Sequence, residues 1–281
     1  MGDWGRGAMR FIGLLFFATA FLWCGVSEAA RVTPMTMELS PTGRNSSARL
    51  EITNSEDRQL PIEVRMFRGI IGERGELELE PADEKFLVFP PQVVVGPNEQ
   101  QIFRIQYLPD EPLTQSQVYY ASVMQIPVAL EPDVSRIQVV MRFNVLVNVV
   151  PDGSEPEPVV SWARPATIEA PDSEQETPDQ VQNDDEEASP EIAEVEEAAE
   201  PVPGIEVRIE NQGNRFFAAG RTGWTISGTT ETGEAFSDAR TASQIGSDIG
   251  MGVVPPGGAR IFFVPTDQVL QEETITVTLD E

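Results

Sequence analysis

Residues 135–150 read S-R-I-Q-V-V-M-R-F-N-V-L-V-N-V-V, and this stretch decides the fold class. After Ser135, every odd-numbered residue is apolar: Ile137, Val139, Met141, Phe143, Val145, Val147 and Val149. The even-numbered positions mix polar and apolar residues. Alternation with a period of two is typical of a β-strand with one buried face. At about 3.3 Å per residue, sixteen residues extend roughly 50 Å, far beyond a typical strand of about 5–6 residues.

Two interpretations of this row are open from the pattern alone. All seven odd-numbered residues could fill the core of their own domain. Alternatively, part of the row covers a second domain or is offered to another molecule, because one small sandwich cannot cover so long a strand from end to end. Exposed apolar edge strands promote pairing and aggregation, so a row left uncovered needs a partner.

The residues before this stretch favour an antiparallel all-β domain. Short alternating runs occur at residues 49–54, 60–67, 76–80, 101–107 and 118–126, and residues 86–89 form a short apolar run. Turn-forming sequences separate them, such as Pro41-Thr42-Gly43 and Gly96-Pro97-Asn98. About seven short strands at this spacing predict an immunoglobulin-like β-sandwich.

The N-terminus predicts export. Arg6 and Arg10 precede an apolar run over residues 11–23, and Ser27-Glu28-Ala29 then offers a cleavage site. Residues 1–29 are therefore interpreted as a secretory signal peptide. The run is short for a transmembrane helix, although an uncleaved anchor is the alternative. No other apolar stretch is long enough to span a bilayer, so we expect no stable membrane insertion.

Composition excludes several classes of function. The chain contains no histidine, and its one cysteine, Cys24, lies in the signal. Neither a Ser-His-Asp arrangement nor a zinc site of His/Cys type can be built. The net charge of −27 argues against nucleic-acid binding, which requires a basic surface. We expect no catalytic residue, no bound metal and no cofactor, and hence no enzyme.

A second domain is predicted after Pro151. Alternation resumes at Ile205-Glu206-Val207-Arg208-Ile209-Glu210, with further runs at residues 223–227, 259–264 and 274–279. Between residues 170 and 204 lie thirteen acidic residues, no basic residue and no aromatic residue. Such a segment cannot bury enough surface to offset its ordering entropy, so residues 170–203 are predicted to be disordered. We place this acidic insert inside the second domain, after a first strand over residues 159–168; a plain interdomain linker is the alternative.

Residues 32–151 resemble the N-terminal domain of periplasmic pilus-assembly chaperones. The matching pieces include Leu50-Glu51-Ile52-Thr53-Asn54, Val64-Arg65-Met66-Phe67-Arg68, Phe89-Pro90-Pro91 and the long strand that ends at Pro151. The Val-Arg-Met-Phe-Arg sequence and the short connection before the last strand are most similar to the archaic chaperone-usher branch. Residues 207–215 are similar to a hairpin in the second domain of that family.

The resemblance implies two tandem immunoglobulin-like domains set at an angle like a boomerang: residues 1–29 as signal, 30–151 as the first domain and 152–281 as the second. It also implies a non-enzymatic periplasmic chaperone in fimbrium biogenesis, which holds a pilin subunit by donor-strand complementation and delivers it to an outer-membrane usher. In strand addition of this kind, backbone bonds give affinity and alternate side chains give specificity. The implied donor residues are Ile137, Val139, Met141 and Phe143, whereas Val145, Val147 and Val149 are expected in the domain's own core.

The sequence departs from the family at one site. Better-known members hold the terminal carboxylate of the subunit with two basic residues in the cleft between the domains, and the corresponding positions here fall near Glu38 and Leu146. Arg142 and Arg104 are the candidate replacements. The alternative function is an exported structural or adhesive two-domain protein that is itself an assembly component, although residues 31–35 are short for a donor extension.

Overall fold

The computed structural model describes residues 30–127, 140–168 and 201–280. Within these ranges the chain is all-β apart from one α-helix and short 3-10 turns. The strands form two β-sandwich domains in tandem, which confirms the predicted immunoglobulin-like fold class. The predicted signal peptide lies outside the described residues, as does most of the predicted acidic insert. No helix in the described ranges is long and apolar enough to cross a bilayer.

Two sheets build the first domain. Their strands are β1 (Arg31–Thr33), β2 (Thr36–Leu39), β3 (Ser47–Thr53), β4 (Leu60–Ile71), β5 (Leu77–Pro81), β6 (Phe86–Phe89), β7 (Gln92–Val95), β8 (Gln100–Tyr107), β9 (Gln117–Gln125) and β10 (Arg142–Val149). The first sheet has the order β1-β3-β8-β6, and the second has the order β2-β10-β9-β4-β5, with β7 paired to β4. The two sheets pack face to face as in other sandwiches.

Alternating residues of both sheets form the first core. Leu50 and Ile52 of β3 lie with Phe103 and Ile105 of β8 on the inner face of the first sheet, all at 0% exposure. From the second sheet, Val64 and Met66 and the odd-numbered valines of β10 pack against them. The period of two seen in the sequence therefore corresponds to the inner faces of the sandwich.

The first two strands, β1 and β2, were not predicted, because three or four residues are too few to show a period. β1 pairs antiparallel with β3 in the first sheet, whereas β2 pairs parallel with β10 in the second. Pro34 and Met35 separate the two strands, and the chain changes sheets there. The length of β2 determines how many residues of β10 are paired on the side opposite β9.

Strand β10 is shorter than the sequence pattern suggested. Its strand conformation spans Arg142–Val149, and the described residues Val140 and Met141 precede it. Residues 128–139, which include Ile137 and Val139, lie outside the described part of the chain. The N–H of Gln125 still donates to the carbonyl of Met141 over 3.1 Å, so the pairing with β9 reaches back to that residue.

The second domain has a three-stranded sheet on each side. Its elements are β11 (Pro158–Ile168), β12 (Val202–Asn211), β13 (Phe217–Ala218), β14 (Gly223–Thr229), β15 (Ala235–Arg240), α1 (Ala242–Ile249), β16 (Val253–Val254), β17 (Ala259–Pro265) and β18 (Thr276–Asp280). The sheet orders are β11-β12-β17 and β15-β14-β18, with β13 and β16 paired separately. Trp224 is the largest side chain of this core, and its Nε1 donates to the carbonyl of Ala219 over 3.1 Å.

Strands β11 and β12 are neighbours in one sheet, with Ile168 opposite Val202 at their far end. The residues between them, of which 169–200 lie outside the described ranges, therefore connect two adjacent strands of the second domain. The exact boundaries of the domains, and the disorder expected of the insert, stay predictions.

The two domains contact each other through an apolar cluster and a hairpin. Val118 and Leu146 of the first domain pack with Val253 of the second. The turn between β4 and β5 meets the free edge of β17, where the N–H of Ile261 donates to the carbonyl of Glu73 over 2.7 Å. The second domain thus lies directly beside the C-terminal half of β10.

Candidate functional site

The two sides of β10 are covered to different extents. On one side, β9 pairs with the whole strand from Arg142 to Val149. On the other side, β2 pairs only with its last four residues, from Leu146 to Val149. Among the described residues, no strand pairs with the second side of β10 between Arg142 and Val145. This segment, residues 142–145, is named the open edge.

The backbone of the open edge has groups available for a further strand. In an antiparallel pair, backbone groups of alternate residues face the same neighbour. The bond from Gln125 to Met141 shows that the odd-numbered residues face β9. The N–H of Leu146 instead donates to Met35 over 3.0 Å, on the side of β2. By the same alternation, the backbone N–H and C=O groups of Arg142 and Asn144 face the uncovered side, as on an unprotected sheet edge.

The apolar row becomes less buried towards the open edge. Val145, Val147 and Val149 are 0% exposed and belong to the first core. Met141 and Phe143 are only partly buried and pack against the margin of that core. The other two predicted donor residues, Ile137 and Val139, lie outside the described residues. The core role expected of the three valines agrees with their burial, and the donor role of the other four residues stays a prediction.

The opposite face of β10 is covered only at its C-terminal half. Leu146 packs in the apolar cluster between the domains. Asn148 is also buried, and its Oδ1 has no hydrogen-bond partner among the described residues. Arg142 and Asn144 lie on the same face, four and two residues before Leu146, and both are exposed. The second domain therefore fixes the end of β10 and leaves its beginning accessible.

The two arginines predicted as carboxylate anchors do not come together. Arg142 projects from β10, and its Nη2 lies 2.8 Å from Met124 Sδ. Arg104 lies on the outer face of the first sheet, and its Nη2 donates to Ser47 Oγ over 3.3 Å. Because the two residues belong to different sheets of the sandwich, they do not form a single site. Each stays a separate prediction.

Two other arginines reach the start of β2 from the second domain. Arg215 Nη2 donates to Glu38 Oε2 over 2.7 Å, so its charge is paired. Arg221 is exposed, and its Nη2 donates to Thr36 Oγ1 over 3.3 Å. Thr36 lies opposite Leu146, where the open edge ends. No motif singles out Arg221, because its position depends on how the two domains pack.

An ion network holds the hairpin of the first domain against the second. Glu206 of β12 accepts from Arg74 Nη1 over 2.9 Å and from Arg164 Nε over 2.9 Å. Arg208 donates to Glu73 and to Glu210. The hydrogen bond from Arg164, followed by that from Arg74, lowers the pKa of Glu206 below its ordinary value. This network fixes the hairpin at one end of the interface, and the pair Arg215–Glu38 joins the domains at β2.

The comparison with family models gives one match. Residues 32–155 match the family described as pili and flagellar-assembly chaperone, PapD N-terminal domain. The match covers nearly all of the first sandwich, from the second residue of β1 to beyond the end of β10. It confirms the resemblance to pilus-assembly chaperones predicted from the sequence. The assignment to the archaic branch stays a prediction. No curated protein matches the chain.

Several solved structures are similar over most of their length at low identity. A chaperone of class 5 fimbriae, CfaA, is 11% identical, with 90% of this chain and 99% of that chain covered and a TM-score of 0.48. A chain from the complex of the Salmonella enterica SafA pilin with the SafB chaperone is 12% identical, with coverages of 89% and 96% and a TM-score of 0.47. A chain from the CsuC–CsuE pre-assembly complex of Acinetobacter baumannii is 13% identical, with coverages of 84% and 91% and a TM-score of 0.44.

Proposed function

We propose that this protein, whose residues 32–155 match the pili and flagellar-assembly chaperone family, binds one incomplete pilin subunit along the open edge of β10. The observation that carries the proposal is the partial cover of that strand by β2. A pilin that lacks its last strand exposes a hydrophobic groove. Strand β10 and the residues before it supply the missing strand, and residues 142–149 remain paired to β9 throughout.

Backbone pairing fixes the position of the subunit. A strand added beside residues 142–145 would receive and donate hydrogen bonds at Arg142 and Asn144, whose backbone groups face that side. Each such bond contributes about 0.5–1.5 kcal/mol net. These bonds are independent of the subunit's sequence, which suits a chaperone that serves more than one subunit.

Side chains of the apolar row supply most of the binding free energy. Ile137, Val139, Met141 and Phe143 are the donor residues of the proposal. If each is buried in the groove at about 1.5–3 kcal/mol, the gross gain is roughly 6–12 kcal/mol. Ordering of both chains reduces this gain. The remainder is compatible with a complex that holds the subunit and later releases it.

The direction of the added strand determines where the subunit ends. Strand β2 runs parallel to β10. A subunit strand that also runs parallel to β10 would meet the beginning of β2 with its C-terminal end. Arg221, beside Thr36, would then lie next to the terminal carboxylate. An antiparallel strand would place its C-terminus at the far end of the open edge instead. We propose the parallel direction, and we therefore include Arg221 as the cation that receives the subunit's C-terminus.

The remaining parts of the proposal concern location and delivery. The protein acts in the periplasm after removal of residues 1–29, and it passes the subunit to an outer-membrane usher without a nucleotide or other cofactor. Exchange of the donor strand for one from the next subunit drives release. The alternative, an assembly component, would require a donor extension of its own or a missing strand, and both described sandwiches have inner faces filled by their own residues.

Co-expression with candidate pilin subunits tests the proposal. We expect a one-to-one periplasmic complex with wild-type protein. Val139→Asp and Met141→Asp should abolish the complex while the free protein keeps its far-ultraviolet circular dichroism and melting temperature. Arg68→Gln, an exposed change on β4 away from the open edge, is the matched control and should retain the complex. If both aspartate variants unfold instead, the row belongs to the core and the assignment is wrong.

A further inference from the structure

The outer face of the first sheet carries a row of residues that is unusual for a solvated surface. Phe89 of β6, Arg104 of β8 and Arg49 of β3 lie directly opposite one another across three strands. All three are exposed, and Phe89 is 68% exposed. Like charges directly opposite each other on one face of a sheet are destabilising. This placement indicates a surface that is kept for an anionic partner.

Neighbouring residues extend the same character. Leu87 of β6 and Ile102 of β8 are exposed at 53% and 43% on this face. Arg31 of β1 is exposed as well. None of Arg31, Arg49 and Arg104 has a carboxylate partner among the described ion pairs. Glu51 of β3 lies on the same face, opposite Ile102, so the three arginines leave the patch with a net positive charge. In a chain with a net charge of −27, this mainly apolar and cationic patch is named the arginine face.

We propose that the arginine face docks the acidic segment of the same chain, residues 172–200. The segment carries thirteen acidic residues and no basic residue, so its charge is complementary to the three arginines. It also combines acids with apolar residues, as in Glu191-Ile192-Ala193-Glu194-Val195-Glu196. That combination matches a surface on which exposed Phe89 and Leu87 lie beside arginines.

Chain length permits this contact within one molecule. The segment is held at both ends by the paired residues Ile168 and Val202. Its halfway point, about 16 residues from either end, reaches roughly 50 Å at about 3.3 Å per residue. A domain of about 120 residues has a radius of gyration of only about 13–14 Å. The segment can therefore reach across the first domain, and its tethering gives it a high effective concentration there.

The docked segment has two consequences. It neutralises the opposed arginines and covers the exposed aromatic and aliphatic side chains, which limits association between copies of the protein. It also leaves the open edge accessible, because β10 belongs to the other sheet of the sandwich. The inference is therefore independent of strand addition.

Peptide binding in trans tests the proposal. The probe is a fluorescent synthetic peptide of residues 172–200. It is titrated into residues 30–281 of the wild-type chain and into a neutral-insert variant, in which every acid of 172–200 is replaced by Gln or Asn. We expect the neutral-insert variant to bind the peptide, with affinity that falls at least fivefold between 50 and 300 mM NaCl. The wild-type chain should bind at least tenfold more weakly, because its own segment competes.

Substitutions on the face complete the test. In the neutral-insert background, the double variant Arg49→Gln/Arg104→Gln should lose at least fivefold in peptide affinity, whereas Arg68→Gln on the opposite sheet should lose none. The proposal is overturned if the neutral-insert variant fails to bind, or if the double variant binds as tightly as its parent. Equal binding by the wild-type chain also overturns it, since the face would then be open to an acidic segment of another protein. The proposal is also overturned if the wild-type chain sediments as a dimer and the double variant sediments as a monomer.

Discussion

The backbone N–H of Leu146 donates to the carbonyl oxygen of Met35 over 3.0 Å. This bond marks the point on β10 where two neighbouring strands become one. After Leu146 the strand is paired on both sides, by β2 and β9. Before it, Asn144 and Arg142 are the residues whose backbone groups face outwards without a strand beside them in the described part of the chain. The proposed binding of a subunit begins at this boundary.

Removing one outward-facing N–H should weaken subunit binding. In Asn144→Pro the position loses its backbone donor, and proline is tolerated where the N–H side of an edge strand faces solvent. A subunit carbonyl left without a partner costs about 1–3 kcal/mol, or roughly fivefold to 150-fold in affinity. The measurement is the dissociation constant for an isolated subunit. Asn144→Ala keeps the amide and should bind as wild type does, and equal losses in both variants would contradict the backbone contact.

The apolar row should divide into core and donor residues in its effect on stability. Val147→Ala removes atoms from the closed core and should lower the free energy of unfolding by about 2 kcal/mol. Met141→Ala, at the margin of that core, should cost less than about 1 kcal/mol. Urea unfolding of the free protein measures both. Comparable losses at the two positions would place Met141 in the core and remove it from the donor row.

Arg221 should contribute to the affinity for a subunit only through the C-terminal carboxylate of that subunit. Arg221→Gln removes a cation beside Thr36 and should weaken binding of a subunit with its native C-terminus by about fivefold to tenfold, as expected for a hydrogen bond to a charged group that is partly screened. With a subunit whose C-terminal carboxylate is amidated, the same substitution should have no effect. A loss that is equal for both subunits would assign Arg221 to domain packing instead.

The interdomain network should make stability depend on pH through Glu206. Its folded-state pKa lies below the ordinary value of 4.5, chiefly because Arg164 and Arg74 donate to its carboxylate. A depressed carboxyl pKa stabilises the folded state above the ordinary pKa, and that stability is lost as the pH falls through the folded value. Glu206→Gln should therefore be less stable than wild type at pH 7, by under about 1 kcal/mol for so accessible a network.

The difference between wild type and Glu206→Gln should shrink as the pH is lowered from about 5 towards 3. Urea unfolding at several pH values measures it. Glu234→Gln, a carboxylate outside the described ion pairs, is the control and should leave the pH profile unchanged. A difference that stays constant from pH 7 to pH 3 would show that Glu206 does not stabilise the interface through its charge.

The elements that could be predicted are those with a local signature. Ile62, Val64 and Met66 alternate with polar residues, and so do Phe103 and Ile105, so their strands and inner faces follow from a period of two. The same pattern over residues 205–210 predicted the central strand of the second domain. The burial of Val145, Val147 and Val149 follows from the continuation of one row into a closed sandwich.

The location of the open edge could not be predicted, because it depends on long-range pairing. Only the parallel register of Thr36 with Leu146 determines where cover by β2 stops, and three or four residues carry no recognisable period. Arg221 is placed by the packing of one domain on another, which no local pattern encodes. The distance between Arg142 and Arg104, likewise, follows from their assignment to opposite sheets rather than from their spacing in sequence.

Hydrogen exchange at Asn144 tests strand addition most directly. The amide of Asn144 faces the uncovered side of β10, whereas the amide of Phe143 faces Val123 of β9 and serves as an internal control. In the free protein, Asn144 should exchange quickly and Phe143 slowly. On binding a pilin subunit, exchange at Asn144 should slow by at least a hundredfold while that at Phe143 changes little. An Asn144 amide that is already protected in the free protein, or that stays fast in the complex, would contradict the account.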